Sequence, residues 1–197
     1  MITRPDISHA TGVLSQFLTN PNESHCEAVD RVYAYLNTYP ELGPTYGLDN
    51  TGLIGYTDAD WAGDQNERKS TSGYLYLFKG GPISWSSKRQ PIIALSSTEA
   101  EYIAAVEAAK EGVHQLRLVN TFLPYEERDT SFILKEDNQS TIRMTHNPEF
   151  HSRTKHIDVK FHYIRQLVSE GTLIIDWIPT DIQLADRFTK ALTKETH

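Results

Sequence analysis

Asp58 and Asp60 stand two residues apart in the stretch Tyr56–Thr57–Asp58–Ala59–Asp60–Trp61. In a β-strand, that spacing puts both carboxylates on one side. Strand interiors disfavour aspartate, so the pair points to function, with the solubility of an exposed edge as the competing reading. Further acids follow at Glu99 and Glu101, at Asp137 and at Asp186. Carboxylates delivered from several elements to one place are what hard divalent cations require, because such ions take oxygen ligands. Two such ions, roughly 3.5–4 Å apart, activate a water and relieve the charge of a phosphodiester during its hydrolysis.

Each remaining acid has an ordinary reading beside that one. Glu99 and Glu101 open a helical segment, where a glutamate interacts favourably with the helix dipole. Two residues correspond to about 200° of rotation, so only one of them can face a sheet. Glu101 shares its face with the small residues Ala104, Ala105 and Ala108, whereas Glu99 is placed to complete a capping box with Ser96. Asp137 lies where a strand gives way to a helix, and taken alone it reads as an N-cap. Asp186, taken alone, is an unremarkable surface residue of a last helix. The arrangement carries more weight than any member: strand, helix start, strand end, last helix.

The elements that must position these acids are legible from periodicity and punctuation. Leu53–Trp61, Gly73–Lys79 and Ile83–Ser87 read as three strands joined by the polar turn 64–69 and by Gly80–Gly81, an antiparallel meander. A long alanine-rich helix is predicted from Ser97 to about Leu118, then a strand at Ser131–Lys135 and a short helix at Asn138–Met144. An amphipathic helix at Ile157–Val168 ends before Gly171. Leu173–Ile178 makes a fifth strand, and a final helix is predicted over Ile182–Leu192. The order describes a mixed α/β sheet with helices packed on it. Residues 1–46 differ: two helical stretches, Asp6–Leu18 and Glu27–Leu36, precede the breakers Pro40, Gly43 and Pro44, and a boundary is expected near Tyr46. The three tryptophans, Trp61, Trp85 and Trp177, are expected in the core or packed on the sheet, with base stacking as the lesser reading.

The composition, 39% hydrophobic and 23% charged, is that of a folded domain and excludes a disordered chain. No apolar run approaches a membrane span, and Met1–Asp6 lacks a basic-then-apolar layout, so no secretory signal is expected. The single cysteine, Cys26, rules out an intramolecular disulfide and fits a reducing compartment. The net charge of −7 runs against the basic footprint of most nucleic-acid binders, although a carboxylate-built site contributes to it. Between Arg143 and Arg165 the balance reverses, with Arg143, Arg153, Lys155, Lys160 and Arg165 against Glu149 and Asp158. That stretch is the expected phosphate-facing surface, an ordinary solvated face being the alternative.

With its surrounding words, the acid pattern resembles the ribonuclease H of copia-type LTR retrotransposons. The resemblance rests on Tyr56–Thr57–Asp58–Ala59–Asp60–Trp61–Ala62–Gly63, on Lys69–Ser70–Thr71–Ser72–Gly73–Tyr74 and on Ile83–Ser84–Trp85–Ser86–Ser87–Lys88–Arg89–Gln90. It continues through Ala94–Leu95–Ser96–Ser97–Thr98–Glu99–Ala100–Glu101–Tyr102, Glu136–Asp137–Asn138–Gln139–Ser140, Arg153–Thr154–Lys155–His156–Ile157–Asp158 and Gln183–Leu184–Ala185–Asp186–Arg187–Phe188–Thr189–Lys190. These words recur in order over about Leu53 to Leu192. Thr3–Arg4–Pro5–Asp6–Ile7–Ser8 and the helix around Ala28–Leu36 resemble the tail of the reverse transcriptase just upstream in the same polyprotein.

The resemblance implies a ribonuclease H-like α/β fold, a five-stranded mixed sheet with helices on both faces, in residues 47–197, with 1–46 as a reverse transcriptase connection. It implies an endonuclease that hydrolyses the RNA strand of RNA–DNA hybrids during reverse transcription, leaving 3′-hydroxyl and 5′-phosphate ends. The family's metal-binding and catalytic acids fall on Asp58, Glu101, Asp137 and Asp186, with Asp60 and Glu99 as stand-ins for the first two. They would hold two Mg²⁺ ions, for which Mn²⁺ substitutes. Asn138 and Gln139 become groove contacts, and Arg153, Lys155, Lys160 and Arg165 phosphate contacts. The implied partners are an RNA–DNA hybrid and the polyprotein's own reverse transcriptase, for a chain that is monomeric when isolated and makes no membrane contact. The implied location is the cytoplasm, in a virus-like particle, or the nucleus. Retroviral and cellular relatives carry a histidine before the last aspartate; here Thr180 and Asp181 occupy that region, which bears on turnover, and His156 beside Asp158 is the nearest compensation, its more ordinary readings being a phosphate contact or plain surface. Two other readings share the sheet: a non-catalytic domesticated binding module, and a transposase or integrase. Glu–x–x–Ala on the helix after the third strand and Asp–Asn–Gln favour ribonuclease H.

Overall fold

The computed structural model describes residues 3–64, 67–146 and 155–191. Its sheet is built from β1 (Ile54–Asp60), β2 (Thr71–Phe78), β3 (Gly81–Arg89), β4 (Phe132–Glu136) and β5 (Leu173–Trp177), in the order β3-β2-β1-β4-β5. The first three form an antiparallel meander, while β4 joins β1, and β5 joins β4, in parallel. The C-terminal ends of β1, β4 and β5 therefore share one edge, the place where open sheets with parallel strands carry their sites. The expected five-stranded mixed sheet is thus the observed one.

The helices are α1 (Ser8–Ser15), α2 (Glu23–Thr38), α3 (Ser97–Phe122), α4 (Gln139–His146) and α5 (Lys155–Ser169). α3 lies across β1, β2 and β4 and supplies most of its own face to the core. Ala104, Ala105, Ala108 and Ala109 are all buried on it, so the helix comes close to the sheet. Gly112 takes this furthest: a Cβ there would stand 2.2 Å from the Phe132 ring and 2.5 Å from the Tyr76 hydroxyl. Tyr76 is itself fully buried and donates its hydroxyl to the Ala108 carbonyl at 2.6 Å. The whole cluster of Tyr76, Phe132, Leu134, Ile164 and Leu173 forms one core between α3, α5 and the sheet.

The opposite face is covered differently. α1 rests on β3, with Gly12 against the Ser87 carbonyl, so part of residues 1–46 packs directly on the sheet. Beside it lie two short 3-10 segments, Thr180–Ile182 and Leu184–Phe188. The sequence predicts one final helix over Ile182–Leu192, and here the structure differs. Gln183 adopts an extended backbone between the two segments and caps the second through its side chain. Packing fixes the geometry: Ala185 and Phe188 are fully buried against β1 and β2, and such short segments persist because tertiary contacts hold them. Gly73 makes that approach possible, since a Cβ there would stand 2.7–2.8 Å from Thr189 and Phe188.

Candidate metal centre

β1 presents Asp58 at its C-terminal end, 5% exposed, and the antiparallel register sets it opposite Gly73. The missing side chain at Gly73 lets Thr189 come in, and Thr189 donates its hydroxyl to Asp58. Glu101 enters from the first turns of α3, 7% exposed. Its partner along the helix, Glu99, accepts from the Leu95 amide at 2.6 Å, while Ser96 accepts from the Glu99 amide. The helix start therefore uses Glu99 for capping and leaves Glu101 for the sheet. Asp137 follows β4. The cap of α4 is Asn138, whose Oδ1 accepts from the amides of Ser140 and Thr141, so Asp137 has no capping duty. It instead accepts from the Thr180 hydroxyl at 2.6 Å.

One ligand oxygen from each of Asp58, Glu101 and Asp137 lies within 4.8 Å of the others. Asp186 is outside that trio but adjacent to it, on the second 3-10 segment, with its side chain 14% exposed. Asp60 is half-buried and apart from the trio, shadowed by His9 and Lys190. The electrostatics follow from crowding like charges in a dry place. Burial pushes Asp58 up to about 7; Thr189 opposes this, and the neighbouring Asp186 and Asp137 add to it. Burial raises Glu101 well above the usual carboxylate range, with Glu136, Asp58 and Asp137 adding to the rise. Lys190 pairs with Asp186 at 2.8 Å. Burial works against its charge, but Asp186, Asp58 and Asp137 outweigh it and raise the ammonium's pKa.

Buried oxygens without hydrogen-bond partners test whether this set fits a cation. Glu101 Oε2 and Asp186 Oδ1 are both such atoms, and an unpartnered buried carboxylate oxygen is costly unless a positive group meets it. Acids of one sign, clustered, half-dry and partly orphaned, fit a divalent metal.

Two residues of the site were not singled out as functional from sequence. Glu136 is fully buried, with Oε2 unpartnered and Oε1 accepting from the Asn138 amide at 3.0 Å. Alternation along β4 could have found it, because it shares the inward face of Phe132 and Leu134. Gln183, 5% exposed, donates from Nε2 to the Thr57 carbonyl at 3.0 Å and to the Lys135 carbonyl at 3.5 Å. It stitches the ends of β1 and β4 to the segment carrying Asp186.

The expected nucleic-acid contacts fall variously. Gln139 is exposed at the start of α4, two residues from Asp137, and Asn138 is occupied by capping. Arg165 is half-buried on α5 and interacts with Tyr102 in the core. Arg153 and the side chains of Lys155, His156, Asp158 and Lys160 lie outside the described residues. The tryptophan expectation is corrected: Trp61 and Trp177 are 49% and 48% exposed, and only Trp85 is largely packed on the sheet.

Sheet order, α3 and the acid cluster define an α/β domain of the ribonuclease H-like class. Among solved structures, ribonuclease H1 of the archaeon Halobacterium salinarum matches 71% of this chain and 95% of its own at a TM-score of 0.50 and 15% identity. The foamy viral protease-reverse transcriptase in complex with dsDNA matches 91% of this chain and 35% of its own, at 0.57 and 13%. At these identities the likeness establishes the fold. No family model matches the chain.

Sequence relatives are more specific. The chain is 44% identical over 192 residues, 98% of its length, to the retrovirus-related Pol polyprotein from transposon TNT 1-94 of Nicotiana tabacum. A second such polyprotein, from transposon RE1 of Arabidopsis thaliana, is 40% identical over 193 residues. The chain belongs to the retrovirus-related Pol polyproteins of transposons, as a domain of ribonuclease H-like fold. It spans 14% and 13% of the length of those two relatives. It is also 51% identical over 118 residues to secreted RxLR effector protein 161 of Plasmopara viticola, covering 80% of that protein. Among the described residues, no helix is long and apolar enough to cross a membrane.

Proposed function

We propose that this chain is a metal-dependent endonuclease that hydrolyses the RNA strand of RNA–DNA hybrids, acting during reverse transcription of a retrotransposon. The observation that carries this reading is the convergence of Asp58, Glu101 and Asp137 at one edge of the sheet, with Asp186 alongside and buried oxygens left without partners. Homology to transposon Pol polyproteins supports the same reading.

Asp58, Glu101 and Asp137 would hold one divalent ion, and Asp58 with Asp186 a second; Mg²⁺ is the expected ion and Mn²⁺ its substitute. When bound, such ions supply a nucleophilic water and neutralise charge on the phosphate. The chain's own contribution is positioning. Thr189 orients Asp58, Thr180 orients Asp137, and Gln183 fixes the segment of Asp186. Lys190, paired with Asp186 and exposed to 44% of its side chain, offers a cation to an incoming phosphate. In this reading Gln139, exposed two residues from Asp137, contacts the minor groove, where the 2′-hydroxyl distinguishes RNA from DNA. The products are 3′-hydroxyl and 5′-phosphate ends.

Residues 1–46 belong in this reading to the polymerase-side connection, and the polymerase of the same polyprotein is the partner that presents the hybrid. The setting is a particle in the cytoplasm, or the nucleus, and the isolated chain is a monomer. The test is incubation of the full chain with a labelled hybrid and Mg²⁺ or Mn²⁺, beside Asp137→Asn. Cleavage confined to RNA and lost in the variant supports the enzyme. Hybrid binding without cleavage favours a non-catalytic module, a reading kept by the likeness to a protein named as a secreted effector.

A further inference from the structure

Two tryptophans stand at the strand ends that carry the acid cluster, and each is pinned by its ring nitrogen. Trp61 follows β1, three residues past Asp58, and donates Nε1–H to the Ala94 carbonyl at 3.1 Å. Ala94 belongs to the loop that leads into the Ser96 cap of α3, so Trp61 bridges the two elements that supply Asp58 and Glu101. Trp177 ends β5 in register with Glu136, and donates Nε1–H to the Asp137 carbonyl at 3.1 Å. Along this edge β1 carries Asp58 and runs on into Trp61, β4 runs on into Asp137, and β5 ends at Trp177.

Both rings have satisfied their one polar group on the protein, yet about half of each remains in contact with solvent. Around Trp61 the loop adds Ile92, Ile93 and Leu95, exposed to 39%, 55% and 86%. Exposed apolar surface of this extent, rigidly held and next to a charged site, marks an interaction surface. The neighbouring acids say what kind of ligand reaches it. A net charge of −7 weakens long-range attraction for a polyanion, so apolar contact adds to what cations such as Lys190 supply where phosphates meet the acids. Nucleic acid combines the two: anionic phosphates, and sugar and base faces that pack on aromatic rings.

We infer that Trp61 and Trp177 are walls of the substrate channel, packing against the sugars of the RNA strand beside the acid cluster. This rests on the ribonuclease reading above and adds to it two binding residues that touch no metal. The indole hydrogen bonds set the ring planes before substrate arrives, which lowers the ordering cost of the contact.

The test uses the full chain, a fluorophore-labelled RNA–DNA hybrid, and Trp61→Ala and Trp177→Ala variants. KM for hybrid cleavage is expected to rise roughly 5- to 50-fold in each, with kcat nearly unchanged and Mn²⁺ affinity of the free protein unaltered. Should the alanine variants fold poorly, a Trp61→Phe/Trp177→Phe double variant leaves Trp85 as the sole indole. Hybrid binding should quench tryptophan emission in the parent chain and scarcely change it in the double variant. Cleavage with unchanged KM in both alanine variants overturns the inference while leaving the nuclease intact. So does equal quenching in the double variant, which would locate the response at Trp85. Absence of hybrid binding and cleavage by the parent chain would instead remove the ribonuclease reading on which this one stands.

Discussion

The side-chain amide of Gln183 donates to the Thr57 carbonyl at 3.0 Å, joining positions 126 residues apart and one residue from Asp58. The bond holds the last segment of the fold against the strand that carries the first acid. Gln183→Leu keeps the volume but leaves buried carbonyls of Thr57 and Lys135 short of a donor. A loss of about 1–3 kcal/mol is expected in denaturant unfolding. Because Asp186 rides on that segment, weaker binding of a second Mn²⁺ equivalent should accompany it. Unchanged stability and stoichiometry would show that Asp186 is positioned by other contacts.

Asp58 sets a pH dependence with a definite sign. Its folded pKa of about 7 lies above the ordinary value of 3.8, chiefly because the carboxylate is buried. Between those values the native state holds more protons than the unfolded chain, so metal-free stability falls as pH rises through the window. The penalty is absent below about pH 4 and complete above about pH 7. The metal-free protein should therefore melt higher at pH 5 than at pH 8, and Asp58→Asn should flatten that slope. A divalent ion at pH 8 should restore what the acids cost. A Tm that climbs steadily from pH 5 to pH 8 without metal would contradict the burial described here.

Asp137 is half-buried and bonded to the Thr180 hydroxyl. Asp137→Asn retains a hydrogen-bond acceptor for Thr180 and relieves repulsion against Glu101 and Glu136. Stability should stay within about 1 kcal/mol of the parent chain, while hybrid cleavage falls by at least about a hundredfold. Thermal melts beside initial rates separate the two effects. Unfolding as the cause of lost activity would count against the role assigned.

Lys190 faces Asp186 at 2.8 Å and feels Asp58 and Asp137. In the absence of metal, it partly neutralises the acids that a divalent ion would need. Lys190→Met should tighten Mn²⁺ binding several-fold in calorimetric titration while raising KM for the hybrid. Weaker ion binding in this variant would mean that Lys190 organises the carboxylates and does not compete with the ion.

Much of the architecture was legible because it is written in short-range chemistry. Alternation marked β1, β2 and β4, the Ser96–Glu99 pair marked the start of α3, and Gly171 with its φ of +72° marked the end of α5. The convergence of Asp58, Glu101 and Asp137 depends on β1 pairing parallel with β4, a long-range fact that periodicity does not contain. The last helix failed because Gln183, a residue with fair helix propensity, turns its side chain to distant carbonyls and leaves the helical backbone. Trp61 and Trp177 were misplaced because a large aromatic residue is usually packed, and their exposure depends on hydrogen bonds to Ala94 and Asp137 that only the folded chain brings within reach. Glu136 had a signal in the alternation of β4, but a charged residue at a strand end ordinarily reads as facing water.

The carboxylate cluster is proposed to direct hydrolysis to RNA paired with DNA. The most direct measurement labels each strand of one hybrid separately and follows both in Mg²⁺, with the parent chain, with Glu101→Gln and with EDTA. Shortening of the RNA strand alone is expected, with products bearing 3′-hydroxyl ends and no cleavage in the variant or the chelator. Cleavage of both strands, or RNA cleavage that survives Glu101→Gln or EDTA, would contradict that role.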